Sequence, residues 1–230
     1  MNRPVAFLSD PPHSPAVAAA YEADLSSDGY VNNLTRVWSW RPDVLASFQA
    51  LRADLLAESG LSPREVAVMV AATAAARGDA YCALAWGSRL AELSDEATAA
   101  KVLQGADSDL SEREAALAGW SRQVVQDPNA TTEADVDRLR DAGLNDQEIF
   151  EATTWIAFRL AFSTINDALG AQPDPQLAEK APRLVREVVT YGRKVQATPA
   201  ARPRGGTAAG HWPTAPTSSP KGWPPPPSAG

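Results

Sequence analysis

The sequence predicts an all-α fold with a disordered C-terminal tail. Three observations carry that expectation. β-Branched residues nowhere alternate with polar ones over the length of a strand. Helix start and stop signals recur throughout residues 1–195. The prolines that would break such helices collect elsewhere: nine of the 19 prolines, with five of the 14 glycines, fall in residues 196–230. That segment has Arg202, Arg204 and Lys221, no acids and almost no aliphatic side chains. It cannot bury enough surface to offset chain entropy, so it reads as a solvated, Pro/Gly-rich extension. Its charge of +3, set against −7 for the whole chain, leaves −10 on the helical body of residues 1–195.

The helices follow in order. Pro42 opens a pattern with Val44, Leu45, Phe48, Leu51, Leu55 and Leu56 on one face, closed by Gly60. Ser62-Pro63-Arg64-Glu65 combines a capping serine, a first-turn proline and a glutamate that reaches back to the cap. The helix it starts is Ala/Val-rich on every side from Val66 to Ala76, the pattern of a buried helix. Gly78 ends it, and Asp79 caps the next, which carries Tyr81, Cys82, Leu84, Trp86 and Leu90. Ser94-Asp95-Glu96 begins a short helix that runs to Gln104. Ser111-Glu112-Arg113-Glu114 is a second capping box before Leu117, Trp120 and Val124, and Pro128 stops that helix. Thr132 caps a helix ending at Gly143, Asn145-Asp146 starts a long one through Trp155, Phe158 and Phe162 to Gly170, and a last helix occupies 176–194. The count is about eight or nine helices. Leu61-Ser62-Pro63-Arg64-Glu65 and Leu110-Ser111-Glu112-Arg113-Glu114 share the form L-S-x-R-E, a likeness that capping chemistry alone would produce.

Composition excludes several function classes. With 44% hydrophobic and 21% charged residues, the chain reads as an ordinary globular protein of one or two domains. A pI near 4.9 disfavours a surface that tracks phosphates, so no nucleic-acid partner is expected. No apolar run approaches the ~20 residues of a membrane span. The first ten residues lack a signal-like apolar core, so the expectation is a cytoplasmic protein without a membrane partner. Cys82 is the one cysteine, so an internal disulfide is excluded. It and the two loop histidines, His13 and His211, make no spaced metal-ligand set, and neither a phosphate loop nor a serine-triad motif is present. No metal or cofactor is expected.

Residues 61–90 and 110–175 carry a resemblance. Leu61-Ser62-Pro63-Arg64-Glu65, the buried helix, then Arg77-Gly78-Asp79-Ala80-Tyr81-Cys82 and Trp86 resemble the core of the alkylhydroperoxidase-D-like, carboxymuconolactone decarboxylase superfamily, and within it the peroxidase-related subgroup. Gly29-Tyr30-Val31-Asn32-Asn33-Leu34, the second capping box with Thr132-Glu133-Ala134-Asp135-Val136, and Ala168-Leu169-Gly170 ahead of Pro173 extend the likeness over residues 5–178. The resemblance implies a helical bundle and a homo-oligomer. It also implies an active site from which this sequence departs. Where the peroxidase members place a glutamate, two cysteines and a histidine, this chain has Ala67, Asp79, Cys82 and Trp86. A dithiol needs a second sulfur to resolve a sulfenic acid, and the glutamate and histidine relay protons. Three of those four groups are gone.

The residues that remain define the candidate site. Asp79 and Tyr81 are candidate proton-transfer groups, with Cys82 beside them as the third candidate catalytic residue. Asp79 stands one turn from Cys82, where its charge disfavours the thiolate while the helix N-terminus favours it. The alternative reading makes Asp79 a cap and Cys82 a packed apolar side chain. Arg77 or Arg159 can hold a substrate carboxylate, and Trp86 and Tyr30, with Arg36, Trp38 and Trp40, can wall a pocket. Arg159 and Asn166, seven residues apart, share one helix face. Three functions fit: acid–base chemistry of the lyase, decarboxylase or isomerase type on a small organic substrate; hydroperoxide reduction by Cys82 with an external thiol; or a non-catalytic oligomeric scaffold or binding protein.

Overall fold

A computed structural model describes residues 5–195, and the tail expected at 196–230 lies outside them. The described residues form eleven α-helices and one short 3-10 turn, with no strand among them. The helices are α1 (Pro15–Ser27), α2 (Asn33–Trp38), α3 (Pro42–Ala57), α4 (Pro63–Arg77), α5 (Ala80–Leu93), α6 (Glu96–Leu103), α7 (Glu112–Gln126), α8 (Glu133–Asp141), α9 (Asp146–Ala168), α10 (Pro175–Lys180) and α11 (Arg183–Val188). The all-α expectation holds. No described helix is long and apolar enough to cross a membrane.

The count exceeds eight or nine for local reasons. α1, capped by Ser14, and α2 precede the first helix that the sequence pattern marked. The expected final helix over 176–194 is two: Pro182, which has no backbone N–H to continue a helix, separates α10 from α11.

α4 is the central helix, as its all-round apolar sequence requires. Residues 65–74 are buried without exception, and α4 packs against α5, α7 and α9. Its alanines let neighbours come close: Ala67, Ala71 and Ala72 join Cys82, Ala83, Leu90, Val102 and Val185 in one core cluster toward α5, α6 and α11. On the other side, Val66, Met69 and Val70 meet Leu117, Trp120, Leu139, Trp155 and Ile156 from α7, α8 and α9.

The two L-S-x-R-E boxes meet in space. Glu65 accepts the Ser62 N–H with one carboxylate oxygen and Arg113 Nε with the other, at 2.7 and 2.5 Å. Glu114 does the same with the Ser111 N–H and Arg64 Nε, at 2.9 and 2.6 Å. Each capping glutamate thus closes its own helix and takes the arginine of the other box. Arg113 reaches further, to Glu148 Oε1 at 2.7 Å, while Glu148 caps α9 through the Asn145 N–H. α4, α7 and α9 therefore begin side by side and run in one direction.

Candidate active site

Gly78 ends α4 in a left-handed conformation (φ 74°), and the reversal delivers Asp79 straight into the N-cap of α5. Asp79 is 1% exposed. One of its carboxylate oxygens accepts the Cys82 N–H at 3.0 Å; the other accepts the hydroxyl of Ser163, on α9, at 2.5 Å. Cys82 Sγ lies 2.7 Å from Arg159 Nη2 and 3.8 Å from Ser163 Oγ. Burial pushes the Cys82 thiol up to about 12; Arg159 opposes this and Asp79 reinforces it. The thiol is therefore neutral near pH 7.

Aromatic rings enclose the group. The Arg159 guanidinium sits over Trp86 and Phe162, 5.7 and 4.9 Å from the ring centroids. Phe48, from α3, packs on Phe158 and Phe162 at 5.8 and 5.7 Å. Trp38 stacks on Phe162 at 5.1 Å and donates its indole N–H to Asn166 at 2.8 Å. One turn along α3 from Phe48, Arg52 lies over the ring of Trp155 at 5.5 Å. Burial, and next the charge of Arg159, push the Arg52 guanidinium down to about 10. From the C-terminal side, Gly192 approaches so closely that an added Cβ would stand 2.4 Å from the Gly78 carbonyl oxygen. Beside it the Tyr191 hydroxyl is buried without a partner; burial and the charge of Asp79 push it up to about 12.

The chain superposes on solved structures. An uncharacterized peroxidase-related protein from Ralstonia eutropha JMP134, an alkylhydroperoxidase AhpD core, matches with a TM-score of 0.68 and 22% identity over 76% of this chain and 96% of that one. This chain has the alkylhydroperoxidase-D-like fold. A peroxidase-related protein from Silicibacter sp. TM1040 gives a TM-score of 0.67 at 22% identity, covering 77% of this chain and 97% of its own. The debrominase Bmp8, in complex with 2,3,4-tribromopyrrole, gives 0.63 at 16% identity, covering 78% and 96%. No protein-family model and no curated protein matches the sequence.

Within the alkylhydroperoxidase-D-like fold, the candidate residues divide into two clusters. Asp79, Cys82, Trp86 and Arg159 come together as above. Tyr81 does not join them: its hydroxyl donates to Asp174, whose other oxygen accepts the Asn33 N–H at 3.0 Å. Tyr30 belongs to that second cluster, lying beneath Lys180 at 5.7 Å. Burial, and then the charge of Asp174, hold both tyrosine hydroxyls above their ordinary range. Burial likewise pushes Asp174 up to about 6. Arg77 is exposed on the last turn of α4, where a cation suits the helix dipole. Ala67 is fully buried in the core, Trp40 is exposed, and His13 is exposed ahead of α1. Among the described residues no three His, Cys, Asp or Glu side chains gather as metal ligands.

Sequence reasoning missed Ser163, Arg52 and Tyr191. Ser163 was within reach: it stands four residues after Arg159 and three before Asn166, on the face those two already marked. Arg52 and Tyr191 arrive through long-range packing that no local pattern announces.

Proposed function

We propose that the chain is a small-molecule enzyme whose acid–base chemistry runs through Asp79 and Ser163. The observation that carries this reading is the 2.5 Å contact between a buried carboxylate and a buried hydroxyl, set beside Arg159 and enclosed by aromatic rings. A carboxylate that already holds a hydroxyl proton can take it fully as the hydroxyl oxygen accepts a proton from substrate, and can return it later in the cycle. Arg159 supplies positive charge for the anion such a step creates. Lyase, decarboxylase and isomerase reactions all need these elements, and none needs a second sulfur.

Asp79→Asn keeps an acceptor for the α5 cap but removes the base, and Ser163→Ala removes the relay without touching the cap. Both are expected to lower turnover of candidate lactones or organic acids by about 100-fold or more while the protein stays folded. Turnover unchanged in both variants would remove the proposal.

A second reading rests on Arg159 Nη2 against Cys82 Sγ, the contact that favours a thiolate. In it Cys82 reduces a hydroperoxide and an external thiol resolves the product. Mass spectrometry after peroxide treatment is the check: a sulfenic or mixed-disulfide adduct at Cys82 supports that route, and an unmodified residue ends it.

A further inference from the structure

Asp79, Cys82, Arg159 and Ser163 are each 4% exposed or less, so a substrate reaches them only after a covering element moves. Most of the cover is helical: α3 lays Phe48 over Phe162, and α5 and α9 carry the site residues themselves. The segment after α11 is different. Residues 189–195 lie outside any helix, and Gly192 rests on the α4–α5 turn that holds Asp79. Val189 and Thr190 still bond back to Val185 and Val188. Beyond them, among the described residues, no backbone hydrogen bond ties 191–195 to the body. What holds this strap, besides the packing of Tyr191 on the core, is Arg193: its Nη2 donates to the Asp167 carbonyl at 2.6 Å and its guanidinium sits over the Phe7 ring at 4.8 Å.

The shut strap leaves polar groups unmet. The Tyr191 hydroxyl and Arg193 Nε are buried without a partner, and both regain water when the strap lifts. Burial, and then the charge of Asp79, push the Tyr191 hydroxyl up to about 12, so it stays protonated beside the turn it covers. Few ties and unmet polar groups mark a segment that opens at low cost. Gly192 sets how closely it shuts. Its φ is 69°, and an added Cβ would stand 2.8 Å from the Ala80 nitrogen, so a larger residue holds the strap off the turn.

We propose that residues 191–195 are the gate of the site, a strap that shuts over the Asp79 turn and lifts about a hinge at Thr190 to admit substrate. The proposal rests on reading Asp79 and its neighbours as the reacting centre, and it supplies the motion that reading requires. Shut, the strap keeps bulk water from the Asp79–Ser163 pair, where a dry surrounding strengthens the charge interactions. Lifted, it parts Arg193 from Phe7 and carries Tyr191 away from Asp79.

Cys82, the one cysteine of the chain, reports the gate without any substrate. The full chain is treated with N-ethylmaleimide under native conditions, and mass spectrometry follows the rate at which Cys82 gains the adduct. Gly192→Ala and Arg193→Ala are expected to raise that rate about tenfold or more, since each favours the lifted strap. Tyr191→Phe removes an unmet hydroxyl from the shut form and is expected to lower it about threefold. Gly105→Ala puts a side chain at a comparable positive φ, 85°, but in open space, and should label at the unaltered rate. Arg193→Ala carries the test alone should Gly192→Ala fold poorly. Unchanged labelling in Arg193→Ala, a matching rise in Gly105→Ala, or faster labelling of Tyr191→Phe would each overturn the gate. Labelling that ignores the strap while Asp79→Asn and Ser163→Ala are inactive removes the gate alone. Labelling that follows the strap with those two variants fully active removes the acid–base reading alone.

Discussion

Trp155→Ala is expected to destabilise the protein by about 4 kcal/mol, because a large aromatic side chain leaves a closed core and its volume cannot be refilled. Trp155 is fully buried. It packs with Val66, Met69, Leu117 and Ile156 where α4, α7 and α9 meet, and it supports the Arg52 guanidinium. The variant should therefore show a lower urea midpoint and a loosened α3. Trp155→Phe is the informative partner. The indole N–H is buried without an acceptor, so removing it relieves an unmade hydrogen bond while part of the ring volume stays. Its cost should be less than half that of the alanine change, and Trp40→Ala, at an exposed ring, should cost little. Equal losses for Trp155→Ala and Trp40→Ala in urea unfolding would contradict the packing described here.

Arg113→Ala is expected to cost about 2 kcal/mol, less than a fully buried ionic network would because the side chain keeps 24% exposure. The loss has three parts: the pairing with Glu65, the pairing with Glu148, and the hydrogen bond to the Gly143 carbonyl at 2.7 Å. Arg64 has one such partner and 36% exposure, so Arg64→Ala should cost about 1 kcal/mol. A double-mutant cycle between Arg113→Ala and Glu65→Gln isolates the cross-box term. A coupling energy near zero would mean that the exchange of arginines contributes nothing to stability.

Much of the fold was legible because capping is local. Ser62 with Glu65 and Ser111 with Glu114 each declare a helix start within four residues, and both are capping boxes in the structure; Thr132 and Asn145, read as starts, stand at the N-caps of α8 and α9. The resemblance to the alkylhydroperoxidase-D-like core, carried by residues such as Leu61–Glu65 and Arg77–Cys82, anticipated the fold that superposition finds. What stayed hidden was pairing at a distance. The repeated L-S-x-R-E read as two caps that happened to be alike, whereas the arginine of each serves the other, 48 and 50 residues away.

The candidate site was half legible for the same reason. Asp79 and Cys82, three apart, face one another as helix spacing demands. Asp79 and Tyr81, two apart, point to different sides of α5, so Tyr81 finds Asp174 instead. Arg52, Ser163 and Tyr191 reach the centre from three other segments, and only packing joins those segments.

The common starting edge of α4, α7 and α9 polarises the molecule. Three peptide macrodipoles lie in the same sense, an unfavourable alignment that concentrates partial positive charge where Glu65, Glu114 and Glu148 stand as its counterweight. Glu148, held below the usual carboxylate range chiefly by Arg113, lends stability that is present above its unfolded pKa and drains away as acid protonates it. Acidification thus acts on the bundle at the end where α4, α7 and α9 begin, the pole opposite Asp79.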